Sequence, residues 1–317
     1  MNYIGIDISK KTFDVAIAEA TGYKHYKISN DEAGFKTFLK LLNKDNDCCV
    51  MEASGPYYQQ LAVFLQTNNI AVSVVNPLII RRFCQMRLTR AKTDKKDAVM
   101  IAEYGKTEKP ELWQVEEAYL LELRQMQTYL HQLNKNRTGL LRQMEAFSQS
   151  IVMSKEVKKS LSKMIKSIEE QMADLEKKME EIINKHHGQM YKQIQSIPGM
   201  GKKAGMLLIV TGKAFTKFKN AKQLSSYIGL SPRIYESGTS VKGKVRMCKM
   251  GMSRMRAMLY VCTWSAIKCN KACKDLYERL TAKGKAKQVA LIAVANKLLK
   301  QAFAIVTKNQ FYKADFI

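Results

Sequence analysis

From Tyr3 onward the apolar residues fall into short runs separated by polar breaks. Tyr3–Ile8 and Phe13–Glu19 flank a polar Ser-Lys-Lys-Thr stretch and predict the two strands of a hairpin. Tyr23–Ser29 alternates and predicts a third strand. Asp31 can cap a helix carrying Phe35, Phe38, Leu39 and Leu42 at helical spacing. Cys48–Met51 predicts a fourth strand that ends at Glu52-Ala53-Ser54-Gly55-Pro56. A helix through Leu61, Val63 and Phe64, a fifth strand Ala71–Val75, and helices after Pro77 and after Thr93 complete the segment. Three strands in a meander followed by helix, strand, helix, strand and helix is the element order of an RNase H-like α/β domain, expected over residues 1–110.

The middle of the chain, residues 111–190, changes period. Leu123, Met126, Leu130, Leu133, Leu140, Met144 and Phe147 are followed by Leu161, Ile165, Ile168, Met172, Leu175, Met179 and Ile182. Sustained a/d spacing with Glu and Lys between predicts a coiled-coil seam suited to dimerisation, with an antiparallel hairpin turning near Ser148–Ser154 as the alternative. Residues 191–317 predict a mainly α-helical domain. It opens on Ser196-Ile197-Pro198-Gly199-Met200-Gly201, and helices are expected from Lys202 to Val210, from Met252 to Cys269 and from Ala286 to Val306.

Charge sharpens this division. The chain of 317 residues carries a net charge of +25. Residues 1–110 hold 16 basic and 12 acidic side chains, residues 111–190 hold 12 of each, and residues 191–317 hold 25 and 4. Cations so concentrated need a polyanionic partner, and nucleic acid fits better than an anionic membrane surface. No apolar run reaches the roughly 18 residues of a membrane span and no basic leader precedes the first strand, so a cytoplasmic protein is expected. The seven cysteines are odd in number and mostly in apolar stretches, which predicts reduced, core-like thiols.

Four acids carry candidate chemistry. Asp7 falls inside the first strand, Glu52 at the exit of the fourth, and Asp94 and Asp97 on one face of a helix start. A carboxylate within a sheet is costly unless it is paired or binds metal. Four converging carboxylates suit Mg²⁺, with Mn²⁺ as a possible substitute, and such ions serve phosphodiester chemistry. Each acid also has an ordinary reading: Asp94 as a cap, Asp97 as a first-turn acid, Glu52 as a surface residue. The opening Ile4-Gly5-Ile6-Asp7 also matches the phosphate strand of actin-like ATPases, but the second Asp-Gly motif and the Gly-rich adenosine site of that class are not visible.

In the basic domain, the Pro-Gly-x-Gly turn offers amides to an anion in the manner of a helix-hairpin-helix element, which marks Gly199, Gly201 and Lys202. Ser237, followed by Gly238 and set among Arg233, Lys242, Lys244 and Arg246, has the surroundings of a nucleophile facing a phosphate. Its plainer reading is a phosphate-contacting loop. Tyr235, Tyr260 and Trp264 could stack on bases, although the helical spacing of the last two favours core positions.

Taken in order, Ile4-Gly5-Ile6-Asp7, Met51-Glu52-Ala53-Ser54-Gly55-Pro56-Tyr57, Asn76-Pro77, Lys92-Thr93-Asp94-Lys95-Lys96-Asp97-Ala98, Ile197-Pro198-Gly199-Met200-Gly201, Gly229-Leu230-Ser231-Pro232, Tyr235-Glu236-Ser237-Gly238 and Lys249-Met250-Gly251 resemble the DEDD-type insertion-sequence transposases. These are bridge-RNA-guided serine recombinases related to the pilin-gene invertases. The resemblance implies that Asp7, Glu52, Asp94 and Asp97 are the metal-binding tetrad of a RuvC-like domain and that Ser237 becomes covalently linked to DNA. It further implies donor and target DNA and a structured non-coding guide RNA as partners. A homo-oligomer, dimer or tetramer, would assemble each active site from domains of different subunits. Cys248 departs from the pattern, since relatives often carry Ser before the Lys-x-Gly step. A RuvC-like endonuclease using metal-activated water and a non-catalytic nucleic-acid scaffold are the competing readings.

Overall fold

Alternation along the first strand decides the layout of the N-terminal half. Ile4, Ile6 and Ile8 point to one side, Tyr3, Gly5 and Asp7 to the other, and each side is covered by a different helical layer. A computed structural model describes residues 1–88, 93–233, 236–237, 241–242, 246–247 and 250–314. The chain divides into two units, Met1–Glu116 and Glu117–Ile317.

In the first unit the order is β1 (Asn2–Ile8), β2 (Thr12–Glu19), β3 (Gly22–Ser29), α1 (Glu32–Leu39), β4 (Asp47–Glu52), α2 (Gln59–Thr67), β5 (Ala71–Val75), α3 (Pro77–Met86) and α4 (Asp94–Glu108). All five expected strands form, in a mixed sheet of order β3-β2-β1-β4-β5. The β1–β2–β3 meander is antiparallel, whereas β4 runs parallel to both β1 and β5. One face packs Ile4, Ile6, Ile8 and Phe13 against Phe35 and Phe38 of α1 and Leu61 and Leu65 of α2. The other face packs Val50 and Val75 against Ile80 of α3 and Ile101 of α4. Asp31 caps α1 as the sequence predicts, whereas the cap of α4 is Thr93 rather than Asp94. The Asp31 carboxylate accepts from the Gly34 amide at 2.8 Å, and the Thr93 hydroxyl accepts from the Lys96 amide at 3.3 Å.

The second unit begins with two long helices, α5 (Ala118–Ser148) and α6 (Lys155–Gln195). They run antiparallel: Tyr119 bonds His187 at 2.7 Å, Tyr129 bonds Gln171 at 3.2 Å, and Arg137 pairs with Glu169 at 2.7 Å. The heptad positions Leu133, Leu161, Ile165 and Met179 are buried, so the hairpin alternative describes this seam. Leu123, Met179, Ile183 and Tyr191 then enter the same core as the helices that follow.

Those helices are α7 (Lys202–Thr211), α8 (Ala221–Ile228), α9 (Ser253–Cys269), α10 (Lys271–Ala282) and α11 (Lys287–Thr307). Between α8 and α9 lie two pairs of two-residue strands: β6 (Pro232–Arg233) with β9 (Arg246–Met247), and β7 (Glu236–Ser237) with β8 (Val241–Lys242). Among the described residues α11 is the helix long and apolar enough by composition to cross a membrane, with a mean hydropathy of 1.7, although Lys297 and Lys300 interrupt its apolar run. Its Leu291, Val294, Leu298 and Ala302 are instead buried in the core of this unit. Trp264, expected in the core, is 55% exposed on α9, with Tyr260 edge-on beside it. Cys48, Cys49, Cys262 and Cys273 are buried, Cys84 is half-buried and Cys269 is exposed.

Candidate functional site

Gly5 sets the approach of α4 to the sheet. A methyl built there would overlap the Ala98 carbonyl oxygen and the Ala102 amide, so only a glycine lets the helix backbone lie directly on β1. One step toward the N-terminus of the strand, Tyr3 touches Gly105. Two strand residues advance about 6.7 Å, which equals about 4.5 helical residues at 1.5 Å each. One step beyond Gly5 in the other direction, the same ratio sets Asp7 beneath the first turn of α4, where Asp94 and Asp97 stand. Glu52 joins them because β4 is parallel to β1 in the register Gly5↔Val50 and Ile6↔Met51, which continues to Asp7 beside Glu52 on the same face.

The electrostatics agree with this placement. The Asp7 carboxyl is pushed up to about 6, chiefly by burial and then by the negative charges of Asp97, Asp94, Glu52 and Asp14. Asp7, Glu52 and Asp97 are half-buried and Asp94 is exposed. Glu52 accepts a 2.7 Å hydrogen bond from the Ser54 hydroxyl. The four predicted acids therefore share one region of the first unit. Among the described residues no three of His, Cys, Asp or Glu are gathered closely enough to hold an ion.

Asp14, a fifth acid, was not singled out from the sequence. It is the cross-strand partner of Asp7 and only 6% exposed, and it is held by His25 at 2.8 Å and Lys27 at 3.9 Å. The hairpin register was the available signal. A turn closing at Ser9–Thr12 pairs residue 8 with 13 and hence 7 with 14.

In the second unit, Ser237 lies in β7, with Val241 as its backbone partner. The side chains of Arg233, Ser237, Lys242 and Arg246, and all of Tyr235, Lys244 and Cys248, are outside the described residues. The base of this segment is well defined. Gly229 and Gly251 both take left-handed backbone, φ +83° and +95°. A side chain at Gly229 would collide with the Met250 carbonyl, and one at Gly251 would come within 2.8 Å of Ile228. Arg256 donates to the Ile228 carbonyl at 2.8 Å and to the Met250 carbonyl at 3.1 Å, tying the two ends of residues 230–250 into one neck. Ser231 bonds Ser225, which in turn donates to Asn296 at 3.0 Å.

The Pro-Gly-x-Gly turn has a packing role. A methyl at Gly199 would stand 2.7 Å from the Ala266 Cβ, so the turn lies flush on α9. The Gly201 amide bonds the Cys262 sulfur, opposing the burial that pushes this thiol up. Lys202 and Lys203 pair with Glu180 at 2.8 Å and Glu176 at 2.6 Å on α6.

Comparison with known proteins agrees on one family. Residues 4–153 match the DEDD-type family of IS110 described as Transposase, and residues 191–278 match the Transposase IS116/IS110/IS902 family. The pilin gene-inverting protein of Moraxella lacunata is 29% identical over 97% of this chain and 96% of its own length. The transposase for insertion sequence element IS1111A of Coxiella burnetii is 21% identical over 98% of this chain and 91% of its own. An uncharacterized 43.6 kDa protein of insertion element IS110 from Streptomyces coelicolor is 27% identical over 49% of this chain and 38% of its own.

Proposed function

We propose that this chain is a transposase of the IS110 type, as the matches over residues 4–153 and 191–278 support, and that it exchanges DNA strands through a serine–phosphate bond. In this reading Asp7, Glu52, Asp94 and Asp97 hold Mg²⁺ or Mn²⁺, and a structured non-coding RNA directs the protein to donor and target. The observation that carries it is Asp7, a strand acid whose carboxyl is raised by the charges of Glu52 from β4 and of Asp94 and Asp97 from α4. The strand order β3-β2-β1-β4-β5 supports an RNase H-like, RuvC-like identity for the first unit.

Hard carboxylate oxygens and surplus negative charge fit a divalent cation. Such an ion, when bound, would neutralise charge on the scissile phosphate. The Ser237 Oγ forms a bond to phosphorus as the P–O3′ bond breaks, and the departing 3′ oxygen takes up a proton. A 3′-hydroxyl of the second duplex then attacks the same phosphorus and expels Oγ. Phosphoester bonds are conserved in number, so no external energy source is required. The surplus of cations in residues 191–317 suits backbone holding, with sequence reading left to base pairing. We further propose a homo-oligomer in which one copy's carboxylates serve another copy's serine.

The test is a denaturing gel of protein incubated with labelled element-end DNA, co-purified RNA and Mg²⁺. A covalent adduct is expected for the wild type and absent for Ser237→Ala, which still retains RNA. Because a metal held by four carboxylates would also activate water, a RuvC-like endonuclease is the second reading. Free 5′-phosphate ends with no adduct from the wild type would select it.

A further inference from the structure

The second unit contains a cavity of about 530 Å³ walled by α5, the end of α7, α8 and the first turn of α9. Arg124, Lys213 and Arg254 line it together with Gln127 and Tyr227, and no lining residue is acidic. We propose that this cavity receives one unstacked nucleotide of a nucleic-acid strand, an assignment that rests on the strand-exchange reading above and adds a subsite to it.

The walls divide into parts that match the parts of a nucleotide. Arg254 is fixed by donating to the Gln127 carbonyl at 2.9 Å. Lys213 is held in the wall by an uncommon left-handed turn, with φ near +50° at Lys213 and Ala214 and +65° at Phe215, anchored by burial of the last two. These cations suit a phosphate. Tyr227, 39% exposed and backed by Phe218 at 5.2 Å, supplies an aromatic ring for a base. The volume lies in the range of small-molecule sites and far exceeds what a lone phosphate fills. A duplex keeps its bases stacked inside and offers none to such a recess. Gly251 and Met252 also line the cavity, so the bound nucleotide would sit at the neck of the segment that carries Ser237.

The test uses the full chain in EDTA, so that no metal-dependent step contributes, with fluorescence anisotropy of labelled single-stranded DNA, single-stranded RNA and duplex DNA. Arg124→Gln/Lys213→Gln should raise the single-strand Kd about tenfold and lower the log–log salt slope by about 1.4, the figure for two phosphate contacts. A charge-matched control in the exposed turn before α11, Lys283→Gln/Lys285→Gln, should change Kd less than about threefold. Tyr227→Leu should weaken single strands about fivefold and leave the duplex unchanged. Whichever of DNA or RNA loses more identifies the strand. In unmutated protein, irradiation of 5-iodouracil-substituted strands should crosslink Tyr227, a readout that needs no variant to fold. Equal losses in the cavity and control pairs, or crosslinks only outside the cavity, overturn the proposal. Because anisotropy in EDTA is independent of Ser237 chemistry, an absent covalent adduct with intact cavity binding would refute the strand-exchange reading alone.

Discussion

Gly5 of β1 lies directly on the backbone of Ala98 in α4, with no room for a methyl group between them. Gly5→Ala must therefore push the helix outward, and Asp94 and Asp97 move with it. Overpacking of this kind costs about 2–3 kcal/mol. Urea unfolding should show that loss, and metal-dependent DNA cleavage should fall further than the lower stability alone explains. Unchanged cleavage would mean that the seat of α4 does not set the position of these acids.

The raised Asp7 carboxyl gives a pH dependence with a definite sign. Between pH 3.8 and about 6 the folded state holds a proton that the unfolded state has lost. Stability therefore falls as pH rises through that window and returns as pH falls. Asp7→Asn removes the effect. In EDTA at pH 7.5 this variant should be the more stable by at most about 1–2 kcal/mol, once screening of a half-exposed group is allowed for, and should converge on the wild type near pH 4. Thermal melts of both proteins across this range provide the check, and a gap that widens toward acid would contradict the sign.

Asp14 depends on His25. His25→Ala leaves a buried carboxylate with Lys27 at 3.9 Å as its remaining ion-pair partner beside Asp7. We expect a loss of about 1–3 kcal/mol in chemical denaturation. His25→Ala/Asp14→Asn should recover much of it. No recovery would show that the ring matters for packing rather than for the charge it faces.

Arg256 bonds both ends of the Ser237 segment. Arg256→Ala should lower the rate of covalent adduct formation at least tenfold while costing only about 1–2 kcal/mol of stability, because two carbonyls lose a charged donor. Arg256→Lys, able to reach one carbonyl at a time, should fall between. Adduct assays at saturating DNA separate this positioning effect from weakened binding.

Much of the first unit was legible because each strand alternates and each break is polar. That same alternation put Asp7 on a definite face. What the alternation could not reveal was Asp14, whose importance depends on the register of one hairpin, or the contact of Gly5 with Ala98, which joins segments far apart in sequence. In the second unit the heptads foretold two long helices but could not tell a hairpin within one chain from a seam between two. Helix α10 went unread because it starts on Asn270, the residue that ends α9, and its helical face is largely polar. Trp264 misled because helical spacing identifies a face without saying which way that face looks. The four acids were named from the order of their motifs, whereas the neck needed coordinates, since nothing local announces that Gly229 will pack on Met250 and Gly251 on Ile228.

Arg256 pins the chain's departure at Ile228 and its return at Met250 to a single spot. Closing a longer chain across an unchanged gap adds little free energy, so a change of length between the two glycines leaves the surrounding helices where they are. A lineage of such proteins could thereby vary this stretch without redesigning its scaffold.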